Sequence, residues 1–140
     1  MAFTNVPPLQ PHICVKGGQE AIAFYEKALG AEKRFHQLAE DGKRVLQANL
    51  AIYGGEVMLH DEFPEFEMSV SAPTTVGGTS FAISINLADA ATVDGAYARA
   101  VEAGAHGLMA PADVFWGARY ARITDPFGHI WAFNAPLERA

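Results

Sequence analysis

Phe24-Tyr25-Glu26-Lys27-Ala28-Leu29-Gly30-Ala31 closes one amphipathic run, and Ala96-Tyr97-Ala98-Arg99-Ala100-Val101-Glu102-Ala103-Gly104-Ala105 closes another of the same make. Tyr97 follows Tyr25 by 72 residues and Gly104 follows Gly30 by 74, so the register holds with a small slip. Ala21, Ile22, Phe24, Tyr25, Ala28 and Leu29 recur at three- and four-residue spacing, one face of a helix, and Gly30 supplies its left-handed stop. Upstream, Ile13 and Val15 alternate with His12, Cys14 and Lys16. In the second copy Phe81, Ile83, Ile85 and Leu87 alternate with Ala82, Ser84 and Asn86, the period of a half-buried strand, and Asp89 stands where it would cap the helix. Downstream, each copy reaches a glycine-marked turn before a last apolar strand: Tyr53-Gly54-Gly55-Glu56-Val57-Met58-Leu59, and Asp125-Pro126-Phe127-Gly128-His129-Ile130-Trp131. Asp41-Gly42 and Gly54-Gly55 read as type I′ hairpin turns, which need positive φ at both central positions, and Asp125–Gly128 reads as a type I turn.

These signals predict an α+β domain of two tandem βαβββ modules, forming a curved, half-open, eight-stranded mixed sheet around a cavity with helices on the outer face. Module one is expected over residues 9–62, an aperiodic linker over 63–78 and module two over 79–136, all within a single domain spanning 1–140. The 140 residues, 50% hydrophobic, suffice for one core. A net charge of −6 opposes binding to nucleic acid or anionic membrane and suits a neutral or cationic small molecule. The lone Cys14 excludes an internal disulfide and reads as a buried small hydrophobe. The start Met1-Ala2-Phe3-Thr4-Asn5-Val6-Pro7-Pro8 lacks the pattern of a signal peptide and no apolar run has membrane-spanning length, so a cytoplasmic protein is expected.

The duplicated unit, the Ala23-Phe24-Tyr25…Leu29-Gly30-Ala31 helix ending and the run from Arg119 through Asp125-Pro126-Phe127-Gly128-His129-Ile130-Trp131 resemble the glyoxalase, bleomycin-resistance and extradiol-dioxygenase (vicinal oxygen chelate) superfamily. Glu56-Val57-Met58-Leu59-His60-Asp61-Glu62 and Gly77-Gly78-Thr79 are similar to its PhnB-like branch. The resemblance implies a small-molecule site and a homodimer. It also implies, in catalytic members, a divalent metal held by the first and last strands of each module. Those positions fall on Gln10, on Leu59 or His60, on Ser84 and on Ala132. Serine and alanine hold such an ion poorly, so the usual four-ligand site is expected to be broken and no cofactor is expected.

Strand alternation places Ile13, Val15, Leu46, Ala48, Leu50, Ile52, Ile83 and Ile85 toward the helices. Gln10, His12, Cys14, Gln47, Asn49, Ser84 and Asn86 then face the concavity, as a polar ligand-orienting wall or simply a solvated sheet face. Phe115-Trp116 is placed to stack a flat ligand at the mouth, or to serve packing or dimer contact, and Tyr120 is expected to line the pocket. Trp131 and Phe133 are expected in the core. The ligand-binding candidates are therefore Gln10, His12, Asn49, Ser84, Trp116 and Tyr120. A fallback metal site would use His12 and His60, read as imidazoles from opposite modules, with Asp61 or Glu62. His36, His106 and His129 read as wall, surface or turn residues. The primary expectation is a metal-free binder of a planar or cationic compound. The alternatives are a metal-dependent lyase, isomerase or dioxygenase with a rearranged site, and a fold kept for assembly.

Overall fold

The computed structural model describes residues 6–66 and 69–137. The leader reading of residues 1–5 and two linker positions, 67 and 68, lie outside these. The backbone divides into two compact units that meet between Gly78 and Thr79. Each unit builds one four-stranded mixed sheet, so the eight expected strands form two sheets.

In module one the elements are β1 (His12–Val15), α1 (Gly18–Leu29), β2 (Glu32–Leu38), β3 (Val45–Ile52) and β4 (Gly55–Asp61). The sheet order is β1-β4-β3-β2, with β1 parallel to β4 and the other pairs antiparallel. Ala21, Ile22, Tyr25, Ala28 and Leu29 form the buried stripe of α1, and Gly30 ends it in the left-handed region at φ 66°. The linker is not structureless: it holds a 3₁₀ turn at Pro64–Phe66 and a short helix, α2 (Pro73–Val76).

Module two repeats the plan with β5 (Ala82–Asn86), α3 (Ala90–Ala103), β6 (His106–Val114), β7 (Ala118–Thr124) and β8 (Ile130–Pro136), in the order β5-β8-β7-β6. Asp89 caps α3 by accepting from the Thr92 amide at 2.9 Å. Trp131 and Phe133 are fully buried with Ala121 and Ile123.

Three turns carry the register. Ile52 pairs with Gly55, so the two-residue loop is Tyr53-Gly54, with φ 46° and 81°, and not Gly54-Gly55. Asp41-Gly42 is no type I′ turn either, because only Gly42 has positive φ (70°). Asp41 Oδ1 instead accepts from the Lys43 and Arg44 amides at 2.8 and 2.9 Å, an Asx-type closure of a longer loop. The third, Asp125–Gly128, closes as expected: the Gly128 amide donates to the Asp125 carbonyl at 3.1 Å. The Asp125 carboxylate also accepts from the amides of Phe127 and His129 and from Trp131 Nε1 at 2.8 Å. An irregularity in the β2–β3 ladder between Gln37 and Leu38 shifts the parity of β3, so Val45 is buried and Leu46, expected to face a helix, is exposed.

Candidate functional site

Asp61 fixes the helix face of module one. It accepts from the amides of Gly17, Gly18 and Val45 at the start of α1 and β3. Alternation along β4 then puts Val57, Leu59 and Asp61 beneath α1, and Glu56, Met58 and His60 on the opposite face. Leu59, one of the two alternatives for the last-strand metal position of module one, is therefore core and fully buried.

The open face of module one is organised by a residue the sequence did not single out, Glu56. The residue is 7% exposed. Its Oε1 accepts from Arg34 Nη1 at 2.7 Å, and Oε2 accepts from Asn49 Nδ2 at 3.0 Å and from Gln10 Nε2. Gln47 Nε2 donates to Asn49 Oδ1 at 2.9 Å. Gln10 and Asn49, expected to greet a ligand, are thus bonded to a carboxylate of their own module. Its period-two relation to Met58 and His60 was the available signal for Glu56.

His12 and His60 belong to the same module, not to opposite ones. They lie on adjacent strands with ring centroids 4.7 Å apart and planes at 83°. His60 Nδ1 lies 2.7 Å from the Asp61 carbonyl. Desolvation, and secondarily the charge of His60, push the His12 pKa down. The carboxylates proposed to join them are engaged elsewhere: Asp61 holds α1, and Glu62 accepts from the Ala72 amide at 2.9 Å. A hydrogen bond from Thr75, then that amide, holds the Glu62 pKa down. Among the described residues no group of three His, Cys, Asp or Glu side chains is gathered as a metal cluster. Cys14 is buried, and burial first, then Glu62 and Asp61, pushes its thiol up to about 11.

In module two Arg119 reaches Asp94 on α3 at 2.9 Å and Asp113 at 3.0 Å, marking the helix face. Tyr120, Arg122 and Thr124 then share the open face with Ser84, Asn86, Ala132 and Asn134. Trp116, 53% exposed on the β6–β7 turn, meets Tyr120 edge-on at 5.3 Å and points Nε1 at Asn134 Oδ1, 3.4 Å away. Phe115 beside it is 96% exposed. The structure thus brings Trp116 and Tyr120 together as an aromatic wall, and leaves Ser84 exposed two strands away. Sequence reasoning missed Asn134 and left Arg122 undecided. His36 and His106 are exposed, and His129 is buried beside Phe81.

Ladder register aligns the copies. Setting Tyr25 on Tyr97 sets His12 on Ser84, and their strand partners Met58 and Ala132 then coincide. Gln10 consequently corresponds to Ala82, so Gln10 and Ser84 are not equivalent positions. Of these four matched positions His12 carries an imidazole, whereas Ala132 has no donor atom, Ser84 only a neutral hydroxyl and Met58 a thioether.

The family model described as "Glyoxalase/Bleomycin resistance protein/Dioxygenase superfamily" matches residues 8–133. The chain belongs to this superfamily. An uncharacterized protein of Mycobacterium bovis, Mb0911c, is 39% identical over 98% of this chain and 88% of its own length. TioX from Micromonospora sp. ML1 shares the fold with a TM-score of 0.69 at 22% identity, covering 96% of this chain and 99% of that one. The fosfomycin resistance protein FosX from Listeria monocytogenes, solved with Mn(II) and sulfate, gives a TM-score of 0.68 at 15% identity, over 93% and 90% of the two chains. At such identities the two structures speak to fold alone.

Proposed function

We propose that this superfamily member, of the PhnB-like branch, is a single-domain small-molecule binding protein whose binding does not run through the usual four-ligand metal. The ligand is a planar compound stacked on Trp116 and Tyr120, with Asn134 and Ser84 as polar contacts. The observation that carries this reading is the contrast between the two open faces. Module one's Gln10 and Asn49 are bonded to Glu56, whereas module two presents exposed aromatic and polar groups. Aromatic faces beside convergent polar atoms suit flat organic ligands. A homodimer is part of the proposal, and a monomeric mass by sedimentation would contradict it.

Elemental analysis of protein purified without added metal, followed by titration with Mn²⁺, Ni²⁺ and Zn²⁺, tests the metal-free reading. The expected result is substoichiometric metal and no tight uptake; stoichiometric tight binding refutes it. A thermal-shift screen of planar compounds tests ligand binding, because a ligand selective for the native state must stabilise it. A lyase, isomerase or dioxygenase with a rearranged metal site is favoured by one observation, the His12–His60 contact. A hydrogen bond from His60 Nδ1 to the Asp61 carbonyl would leave Nε2 as the free nitrogen, the usual arrangement for a metal-binding imidazole. The same titration, repeated on His60→Gln, decides between the two.

A further inference from the structure

The internal duplication isolates one charge. With Met58 set on Ala132, Asn49 falls on Arg122 and Glu56 on Ile130. In module one the amide at this position meets a carboxylate. In module two the amide has become a guanidinium and the carboxylate has become isoleucine. Arg34, Arg44 and Arg119 each hold a carboxylate, but Arg122 forms no ion pair among the described residues. Its Nε donates to Tyr120 Oη at 2.7 Å, and its guanidinium carbon lies 5.7 Å from that ring's centroid. Tyrosine thereby orients the fork without neutralising it. Arg122 also lines a cavity of about 260 Å³ together with Thr79, Ser80, Phe81, Ala82 and Ile130. The lining offers one cation, two hydroxyls and apolar carbon, and no acidic side chain.

We propose that this cavity is a subsite for the acid group of a small organic oxyanion, a carboxylate or phosphonate carried on a short apolar stem. The planar fork of arginine matches such groups with paired hydrogen bonds. Phe81 and Ile130 give the stem its contact. The volume is below the roughly 300–1,000 Å³ of drug-sized sites, so it takes one end of a ligand. The chain's net negative charge does not forbid this, because screening over about 8 Å at physiological salt leaves the local guanidinium dominant at contact. The inference rests on the small-molecule reading above and specifies the charge of the ligand, favouring an anion over the cationic compound suggested by composition.

The test is an NMR titration of the ¹⁵N-labelled protein with benzoate, phenylphosphonate, benzamide and benzylammonium. Both the subsite's existence and the preferred acid are read from the shifts of residues 79–82 and 122. The expected result is saturable binding of one or both acids, with the amide and the ammonium much weaker. Arg122→Met should weaken the acids on the order of tenfold to a hundredfold, the loss expected for a charge-assisted partner, and Arg122→Lys should restore part of it. If Arg122→Met does not fold, Thr79→Val with Ser80→Ala should weaken the acids selectively. Benzamide binding as tightly as benzoate, undiminished binding to Arg122→Met, or no binding of either acid overturns the subsite. The small-molecule reading fails separately, if the planar-compound screen yields no stabiliser.

Discussion

Replacing Asp61 separates a structural carboxylate from a metal-binding one. Gly17, the N-cap of α1, has no side chain with which to cap it. Asp61, 44 residues away, does so instead: Oδ1 accepts from the amides of Gly17 at 2.8 Å and Gly18 at 3.0 Å, and Oδ2 from those of Gly18 at 2.9 Å and Val45 at 2.7 Å. Asp61→Ala strands three amides at a site only 4% exposed. Hydrogen bonds to a charged group contribute about 1.5–3 kcal/mol each, and a helix cap about 1 kcal/mol, but the terms overlap and water can reach part of the gap. The net cost expected is about 3–5 kcal/mol, a large share of the 5–15 kcal/mol typical of a domain. Asp61→Asn keeps one oxygen for α1 but turns an amino group toward the Val45 amide, and should cost about half as much. Urea unfolding followed by circular dichroism, with the m-value checked for constancy, gives both numbers. A loss below about 1 kcal/mol for Asp61→Ala would refute the capping argument. Loss of metal uptake without loss of stability would instead restore Asp61 as a ligand.

Gly18→Ala should destabilise although alanine is the better helix former, because its Cβ would lie 2.5 Å from Asp61 Oδ2 and 2.7 Å from Val45 Cγ2; equal or higher melting temperature would contradict this. The raised Cys14 pKa predicts a neutral thiol in the folded state. The unfolded chain therefore loses its proton first, and stability falls as pH rises from the unfolded value of 9.0 to about 11, at up to about 1.4 kcal/mol per pH unit. Cys14→Ala should flatten that decline, and parallel curves for the two proteins would rule the thiol out as its source. The His12 pKa is lowered, so its neutral form is favoured by folding and its contribution fades as pH falls below 6.5. His60→Gln should raise the His12 pKa measured by NMR, though only partly, since desolvation is the larger cause. Asn49→Ala leaves the buried Glu56 short of a donor and should cost about 1–3 kcal/mol of stability while leaving planar-ligand affinity unchanged; a matching loss of affinity would return Asn49 to the ligand wall.

The modular plan was legible because helix stops, caps and strand alternation are local. Gly30, Asp89 and Asp125–Gly128 act within a few residues of themselves, and each does what its neighbours imply. Errors came where one ladder had to be known to place another. The Tyr53-Gly54 turn moved because a tyrosine adopts positive φ when the register of β3 on β4 demands it. Leu46 moved because the irregularity is visible only in its pairing with β2. The site was less legible still. Asp61 and Glu62 look like free carboxylates beside His60, yet backbone amides 44 and 10 residues away engage them. Period-two alternation would have excluded Leu59 and found Glu56 once β4's helix face was known.

The two copies differ in chemistry at positions that their ladder registers match. At matched positions of one ladder, module one carries Asn49 and Glu56 and module two carries Arg122 and Ile130. Because the backbone frame is the same, the difference is chemical. Module one's face satisfies itself: every polar atom of Glu56 has a partner within the module, and a ligand must break those bonds before forming its own. Such an exchange gains little, since a lost buried bond costs about what a new one returns. Module two's face has a cation without a carboxylate partner among the described residues and aromatic rings exposed to solvent, so a ligand's acid group there gains a charge-assisted partner without displacing another carboxylate. Recognition should therefore concentrate on module two, and module one's network acts to hold the sheet that keeps His12 and His60 in place.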